Sequence, residues 1–275
     1  MGSFINLHIA SLNCNGLLDS AKRKTLFEWF EKSRFQVFLL QETHFAPNQH
    51  LQIVREWKQG PIFLNSMGGG KCGTAILFNS YQFKILNEIY DKNSRIIACD
   101  FDFFGNRIHL VNSYFPNEST EKFNFIQGMY KYLMSNFPII WGGDFNLTEN
   151  NLIDRWPARS GHDTHSNHLK KVYETFNLID VCRVVYPNHS VFTFKRKYDG
   201  VIHKSRIDRL MIAKHFNLVS YEQFDCEFSD HEIISTQIQY QSKMLFGKGP
   251  WRNNTKIYKT ENFLQEFDVS AEPGW

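Results

Sequence analysis

The stretch Ile139-Ile140-Trp141-Gly142-Gly143-Asp144-Phe145-Asn146 joins a short apolar run to two glycines and then to a carboxylate and an amide. It predicts a buried strand that leads into a tight Gly-Asp turn, with both polar side chains at the strand end. A carboxylate and an amide in that position could orient and deprotonate a water molecule. The stretch by itself is equally compatible with a plain turn in which Asn146 caps the next segment.

Other apolar runs of the chain are also bordered by a polar, acidic or imidazole side chain. These residues are Asn13, Glu42, Tyr114, Asp208 and the run Ser229-Asp230-His231. Because strands that end together place their terminal residues in one cleft, we expect these side chains and Asp144 to gather at one edge of the core. Carboxylate and amide oxygens suit a hard cation such as Mg²⁺. A histidine beside an aspartate suits phosphoryl chemistry in which a proton or charge must be managed.

Each of these residues also has a plainer interpretation. Glu42 could be a surface glutamate on a loop, and His231 could be a structural hydrogen-bonding residue. The combination favours a site, because a carboxylate at the end of a buried strand is costly to desolvate unless it is paired or metal-bound. Glu42 is therefore the first choice as a ligand of Mg²⁺.

Length and composition limit the classes of protein that fit. The chain has 275 residues, enough for one large α/β domain or two small ones, and its net charge of +3 is too small to establish a nucleic-acid partner. Its five cysteines are scattered, which argues against a disulfide framework and favours a reducing, intracellular setting. No apolar run approaches the roughly 18 residues of a membrane span, and the first residues do not resemble a signal peptide.

The spacing of apolar residues predicts many short strands and a few helices. The predicted strands cover residues 5–12, 36–41, 61–65, 74–78, 83–90, 95–103, 106–114, 138–141, 191–195, 206–212 and 234–240, and the predicted helices cover 20–32, 120–135 and 166–176. Runs of neighbouring strands broken by a few helices favour an α/β fold with two mostly antiparallel sheets packed face to face and helices outside. Beyond residue 240 the pattern gives way to a basic tail, with a short helix expected at 261–267.

Two motifs suggest other chemistry but fit it poorly. Gly68-Gly69-Gly70-Lys71-Cys72 resembles a phosphate-binding loop, yet Cys72 stands where a serine or threonine must bind Mg²⁺ and Asn65 stands where the first glycine belongs. A glycine-rich hairpin turn is the favoured interpretation. The three histidines at 162, 165 and 168 complete no familiar zinc spacing and are expected to form a loop and the first turn of a helix.

A basic hairpin is predicted between Phe194 and Arg206. It begins with Lys195, Arg196 and Lys197, and it lies close in sequence to Asp208. Such a hairpin could enter a DNA groove, or it could simply be a solvated turn. Its position beside the predicted site favours the interaction with DNA.

Taken together, the ordered motifs resemble the endonuclease/exonuclease/phosphatase superfamily. The set is Ser-Leu-Asn13, Gln-Glu42-Thr-His, Asn-Ser-Tyr114-Phe-Pro-Asn117, Gly-Gly-Asp144-Phe-Asn146, Phe-Thr193-Phe, Arg-Ile-Asp208-Arg-Leu and Ser229-Asp230-His231. Within the superfamily the chain looks most like the apurinic-endonuclease-type domain of non-LTR (LINE) retrotransposon polyproteins. The features that carry this likeness are Ser11–Leu17, Leu40–His44, the basic hairpin, Asp154-Arg155 and Leu178–Val181.

The resemblance implies a fold, an activity and a setting. The fold would be a DNase I-like four-layered sandwich over residues 1–240, with residues 241–275 as a basic linker toward a reverse transcriptase that is absent from this chain. The activity would be Mg²⁺-dependent nicking of one strand of double-stranded DNA, with Mn²⁺ as an alternative metal, to leave a 3′-hydroxyl that primes reverse transcription. The domain would be monomeric and act in the nucleus, without a membrane.

The resemblance also implies a role for each matched residue. Glu42, Asp230 and Asn13 would bind the metal, while Asp144 and Asn146 would position and activate water. Asp208 would support His231 at the scissile phosphate, which Tyr114 would also contact. The implied phosphate and DNA contacts are Thr193, Ser229, Asn117, Arg155, Lys195, Arg196 and Lys197.

Three alternative functions remain open at this stage. An abasic-site repair endonuclease or 3′ exonuclease would keep the fold, although Phe192 stands where repair-type relatives usually have tryptophan. A phosphatase of the same superfamily would act on a lipid or sugar phosphate. A non-catalytic DNA-binding module would have no need of buried carboxylates facing a phosphate.

Overall fold

The computed structural model describes residues 4–68 and 71–241, which fold into two six-stranded sheets and one small sheet. In chain order the strands are β1 (Phe4–Asn13), β2 (Val37–Gln41), β3 (Ile62–Asn65), β4 (Thr74–Phe78), β5 (Lys84–Tyr90), β6 (Ile96–Phe103), β7 (Asn106–Tyr114), β8 (Ile139–Asp144), β9 (Arg155–Trp156), β10 (Leu178–Asp180), β11 (Phe194–Tyr198), β12 (Val201–Ser205), β13 (Asp208–Ala213), β14 (Asn217–Phe224) and β15 (Ile233–Gln241). The helices are α1 (Ser20–Lys32), α2 (His50–Glu56), α3 (Ser119–Leu133), α4 (Ser166–Thr175) and α5 (Val181–Val185), and a 3-10 turn (Pro47–Gln49) precedes α2.

The two large sheets share one plan. The first has the strand order β14-β15-β1-β2-β4-β3, and the second has the order β10-β13-β8-β7-β6-β5. Each contains a single parallel pair, β1 with β2 and β7 with β8, and its other neighbours are antiparallel. The small sheet, β11-β12-β9, carries the basic hairpin.

Alternation of apolar residues along β1 explains how the layers stack. Leu7 and Ile9 point into the core that the two sheets share with Trp141. Ala10 and Leu12 point the other way, into a second core with the α1 residues. One example is Phe30 of α1, whose ring stacks on Phe38 of β2 at 3.9 Å.

The second sheet is covered by α3 and α4. These helices bury Ile126 and Met129, and Leu169 and Val172, in the main core. The fold is therefore a four-layer sandwich of helices, sheet, sheet and helices, and the predicted α/β fold class is confirmed.

Several predicted boundaries need correction. The strand predicted at 138–141 continues to Asp144, and the strand predicted at 191–195 begins only at Phe194 and runs to Tyr198. Thr193, just before it, accepts through its hydroxyl from the Ile207 and Asp208 N–H groups. The sequence analysis missed α2, α5, β9, β10 and β14. In α2 only Ile53 is buried, so that helix carries almost no apolar periodicity.

The glycine-rich segment connects β3 to β4, which pair antiparallel from Asn65 and Thr74. A hairpin connection is therefore correct, since a phosphate-binding loop would lead into a helix. Gly69 and Gly70, the first three residues, and the predicted tail with its helix at 261–267 lie outside the described residues. None of the helices in the described ranges has the length and apolar character needed to cross a membrane.

Candidate active site

The predicted site residues converge at one edge of the two sheets. β1, β7 and β8 end at Asn13, Tyr114 and Asp144, and Glu42 directly follows β2. Asp208 and His231 lie differently, since Asp208 begins β13 and His231 precedes β15. Antiparallel pairing, which sets Asp208 opposite Asp144, brings these two residues to the same edge, as expected, although they lie at or before the start of a strand.

Two glycines allow the main chains to approach just before Asp144. A Cβ on Gly143, where φ is +141°, would lie 1.9 Å from the Ser113 carbonyl oxygen of β7. A Cβ on Gly142 would lie 2.6 Å from a methyl group of Leu39 in the facing sheet. The glycine pair is thus part of β8 and not the turn that the sequence predicted.

One amide joins the two carboxylates of the cleft. Asn13 Nδ2 donates to Glu42 Oε1 at 2.8 Å and to Asp144 Oδ2 at 2.9 Å. Asn13 Oδ1 accepts from the Asn15 N–H at 3.0 Å. Asn13 therefore presents its nitrogen to the carboxylates, and its predicted contact with a metal ion stays a prediction.

Glu42 is held as an anion in an unusual backbone conformation. Its φ is +50°, in the left-handed region that non-glycine residues seldom adopt, and Asn146 shares this feature at +47°. Burial by itself would raise the pKa of Glu42, but hydrogen bonds from His44, Asn13 and Tyr114 outweigh burial and lower the pKa to about 2. The carboxylate stays charged over the whole physiological range.

Asp208 and His231 form a buried pair. His231 Nδ1 lies 2.9 Å from Asp208 Oδ2, and the Thr193 hydroxyl donates to the same oxygen at 2.6 Å. Burial by itself would lower the pKa of His231, but the charge and hydrogen bond of Asp208 outweigh burial and raise the pKa to about 9. Thr193 is fully buried and holds Asp208 in place, and its predicted role in binding phosphate or shaping the phosphate pocket stays a prediction.

Asp144 lies between the Asn13 amide and the Asp208–His231 pair. Its Oδ1 accepts from the Asn146 N–H at 2.8 Å, and the Asn146 side chain donates to the Phe115 carbonyl at 2.9 Å. Burial, and next the negative charge of Asp208, raise the pKa of Asp144 above its usual range. A carboxylate with a raised pKa is suited to accept a proton near neutral pH.

Tyr114 remains a phenol. Burial and the charge of Glu42 raise the pKa of its hydroxyl, and the Arg95 guanidinium lies over its ring at 4.8 Å. The hydroxyl therefore keeps its proton, which it donates to Glu42 and could turn toward an anionic ligand.

The other predicted residues surround this centre. Ser229 Oγ donates to the Asn13 carbonyl at 2.7 Å and accepts from the His231 N–H at 3.1 Å, so it links two parts of the site. Asp230 accepts from Asn15 Nδ2 at 3.3 Å. Asn117 lies on the exposed loop after β7. Arg155 donates to Thr148 and Asn151, at the foot of the basic hairpin.

The basic hairpin projects beside the site. Lys195, Arg196 and Lys197 are all exposed on β11, and Asp199 and Gly200 form its turn with φ values of +47° and +78°. Lys195 pairs with exposed Asp225 at 3.1 Å. Such a surface pair is worth little to stability, so the lysines are available to a ligand.

Two sets of carboxylates are candidates for metal binding. Ligand atoms of Asp144, Asp208 and His231 lie within 4.8 Å of one another. In that cluster the Nδ1 of His231 already faces Asp208, so the second set, Glu42 with Asp144, offers the better pair of ligands. The three histidines at 162, 165 and 168 are in neither set, and His165 instead lies 2.9 Å from the Ser119 hydroxyl.

Sequence reasoning missed several supporting residues. His44 contacts Glu42 at 3.3 Å, and Lys122, nearly buried in α3, donates to the Asn146 carbonyl. Arg206, two residues before Asp208, is fully buried and bonds Asp154 at 2.8 Å and Asp180 at 2.7 Å. Arg206 and His44 carried a signal, because they stand in the Arg-Ile-Asp and Gln-Glu-Thr-His motifs.

A four-layer sandwich with carboxylates and a His–Asp pair at the shared edge of its sheets is the architecture of the nuclease and phosphatase class. The Endonuclease/Exonuclease/phosphatase family model matches residues 10–231. The chain therefore belongs to that family, and the predicted superfamily is confirmed.

The chain is similar in sequence to a transposon protein. It is 29% identical over 267 residues to the Transposon TX1 uncharacterized 149 kDa protein of Xenopus laevis, a match that covers 94% of this chain and 20% of that protein. The chain thus spans about a fifth of the length of this curated relative. The resemblance to a transposon protein agrees with the sequence analysis.

Solved structures share the fold at low identity. The AP endonuclease LMAP from Leishmania major superposes with a TM-score of 0.71 at 17% identity, covering 86% of this chain and 88% of that one. The endonuclease domain of TRAS1, a telomere-specific non-LTR retrotransposon, gives a TM-score of 0.63 at 16% identity, covering 84% of this chain and 98% of that one. At this level of identity the likeness establishes the fold.

Proposed function

We propose that this chain is a divalent-metal-dependent DNA endonuclease that nicks one strand of duplex DNA. The product would carry a 3′-hydroxyl that primes reverse transcription. The observation that carries the proposal is the cluster in which Asn13 joins Glu42 to Asp144 and Asp144 adjoins the Asp208–His231 pair. The similarity of the chain to a transposon protein and to the TRAS1 endonuclease domain supports the proposal.

The donor set fits Mg²⁺, with Mn²⁺ as an alternative. Glu42 and Asp144 supply hard carboxylate oxygens that face each other across one amide nitrogen. Glu42 would be the main ligand, with Asp144 or Asp230 as the second, and the ion would neutralise charge that develops on the phosphate.

The chain's own residues would divide the remaining work. Asp144, whose pKa is raised, would accept a proton from the attacking water, and Asn146 would help to place that water. His231, kept cationic by Asp208, would stabilise charge on the phosphate oxygens. The neutral Tyr114 hydroxyl would donate a hydrogen bond to the same group.

Duplex DNA would extend from this centre along the basic hairpin. Lys195, Arg196 and Lys197 would contact phosphates, and Arg155 would touch the backbone near the foot of the hairpin. We further propose that residues 1–240 act as a monomeric nuclease domain in the nucleus. Residues 241–275 would then lead toward a reverse transcriptase in the same polyprotein.

The test is nicking of supercoiled plasmid in Mg²⁺ by the wild-type chain and by Glu42→Gln, Asp144→Asn and His231→Ala. Each variant should lose activity by about a hundredfold or more, because each removes a metal ligand, the proton acceptor or the group that stabilises charge on the phosphate. Circular dichroism should show that all three remain folded.

A matched control comes from a second histidine–carboxylate pair far from the cleft. His109 Nδ1 lies 2.6 Å from Asp100, at the opposite end of the second sheet from Asp144. The folded His109→Gln variant should nick plasmid as well as the wild-type chain does. Undiminished nicking by all three site variants would refute the proposal.

The substrate is tested in the same assay format. Intact duplex, duplex with one abasic site, and small phosphate monoesters would be compared side by side. Preferential cleavage at the abasic site would identify a repair-type enzyme, and turnover of monoesters without nicking would identify a phosphatase.

A further inference from the structure

The root of the basic hairpin is built into the catalytic pair. The Thr193 hydroxyl accepts from the N–H groups of Ile207 and Asp208, each at 3.1 Å, while it donates to the Asp208 carboxylate. On the other side the Glu232 N–H donates to the Thr193 carbonyl at 2.7 Å, and the Lys195 N–H donates to the Asp230 carbonyl at 3.0 Å. The start of β11 is thus hydrogen-bonded both to the main chain at Asp208 and to the residues that flank His231.

Phe194 makes the closest aromatic link between hairpin and site among the described residues. Its main chain forms an isolated bridge with His231, and its ring centroid lies 4.8 Å from the imidazole at an angle of 52°. Asp208 bonds the Nδ1 edge of His231, and the Phe194 ring packs against the imidazole.

Phe194 also faces both grooves that flank the hairpin. One groove, of about 470 Å³, runs between the hairpin and the segment that starts at Arg155, and Trp156, Arg196 and Tyr198 line it. The other, of about 510 Å³, lies on the opposite face, and Tyr186, Lys195 and Lys204 line it. A ligand seated in either groove would press on a residue that touches His231.

We propose that Phe194 is a positioning residue that couples engagement of DNA by the hairpin to the placement of His231. This inference rests on the proposed endonuclease activity and adds a regulation of that site. Duplex that fills the grooves would hold Phe194, and through it the imidazole, in the orientation needed at the phosphate. The hairpin would then raise turnover on correctly engaged DNA, and not only affinity.

The test combines two substrates with a substitution. After the nick position is mapped, kcat and KM are measured on a long duplex and on duplexes truncated on either side of the nick. In the wild-type chain, truncation on the hairpin side should lower kcat by about tenfold or more, as expected when a reacting group is slightly misplaced. In Phe194→Leu the long duplex should react at the reduced rate, and truncation should change kcat by less than about twofold.

Two further variants separate coupling from a general structural role. Phe194→Tyr retains the ring and should restore the wild-type ratio of the two kcat values. Phe216→Leu removes a similar Phe–His ring contact, 5.1 Å between His215 and Phe216, beyond the far end of β13, and should also keep the wild-type ratio.

The outcomes distinguish this inference from the proposed function. If truncation changes KM alone, or if Phe194→Leu shows the same kcat ratio as the wild-type chain, the coupling is overturned while the endonuclease assignment stands. If the wild-type chain makes no nick, or if Glu42→Gln, Asp144→Asn and His231→Ala all nick as well as wild type, the endonuclease assignment itself fails.

Discussion

At the scale of single residues, the site is a set of charges whose states are fixed by their neighbours. Glu42 is held anionic by three hydrogen-bonding partners, and His231 is held cationic by Asp208. Burial raises the pKa of Asp144, in contrast to the lowered pKa of Glu42. Opposite shifts in adjacent groups are what acid–base chemistry near neutral pH requires.

The His231 charge makes a prediction about stability. The folded pKa of about 9 lies above the ordinary histidine value of 6.5, so this group contributes stability that is fully present below pH 6.5 and is lost as the pH rises through 9. In metal-free buffer, the free energy of unfolding should therefore fall between pH 6.5 and 9.5 by about 1–3 kcal/mol more in the wild-type chain than in His231→Gln.

Urea unfolding at several pH values, with EDTA present, measures this difference. His231→Gln is the internal control, because every other titrating group is retained in it. Parallel pH profiles for the two proteins would contradict a cationic His231 in the folded state.

At the scale of elements, the close approach of β7 and β8 sets the position of Asp144. Gly143→Ala would force a Cβ to within 1.9 Å of the Ser113 carbonyl at a φ of +141°. We expect a loss of stability of about 3 kcal/mol or more, since main chain on both sides must move. The matched control is Gly128→Ala in α3, where a Cβ meets nothing within 4 Å.

Gly128→Ala should instead stabilise the chain, by about 0.5–1 kcal/mol, because alanine is the better helix former. Thermal unfolding of both variants measures the contrast. Equal effects of the two substitutions would show that the approach of β7 to β8 is less tight than described.

The hairpin β11–β12 makes a prediction about salt dependence. Replacement of Lys195, Arg196 and Lys197 by alanine should weaken DNA binding and reduce the slope of log affinity against log salt by about 2–3. The chemical step at saturating DNA should be largely retained and the choice of nick sites altered, because the three cations lie on the hairpin and not among the cleft carboxylates.

Filter binding over a range of salt concentrations, together with mapped nicks, tests this prediction. Alanine at three exposed lysines of the outer helices, Lys24, Lys32 and Lys171, gives a control of equal charge change. Identical slopes and nick patterns for the two triple variants would remove the hairpin from recognition.

At the scale of the whole molecule, hydrogen bonds between side chains in the cleft connect the two sheets, in addition to the apolar contacts of the core. Asn13 of the first sheet bonds Asp144 of the second, next to Glu42. A cation bound there would favour the folded state, because the unfolded chain has no such site.

Millimolar Mg²⁺ should therefore raise the free energy of unfolding of the wild-type chain by about 1–3 kcal/mol. Glu42→Gln should show a much smaller increase, and EDTA should abolish nicking by the wild-type chain until Mg²⁺ or Mn²⁺ is added. Thermal melts with and without the metal measure the effect. The same Mg²⁺ response in Glu42→Gln would remove Glu42 as the principal ligand.

The sequence predicted the layers well because each depends on local periodicity. β1 alternates Leu7 and Ile9 with polar or oppositely directed neighbours, and α1 repeats Leu26 and Phe30 at helical spacing. It failed where periodicity is weak, as in α2 with its single buried Ile53. It also placed the start of β11 too early, at residue 191, because the contacts of Thr193 with Ile207 and Asp208 depend on the tertiary structure.

By itself, the sequence determined which side chains border the strands, since apolar runs and the residues after them are local properties. Tertiary structure alone decided which of those side chains meet. Asp208 and His231 face Asp144 because of antiparallel pairing, and Asn13 donates its nitrogen because both carboxylates lie across from it. The physical reason is that strand direction, register and hydrogen-bond orientation depend on pairings between residues far apart in the chain.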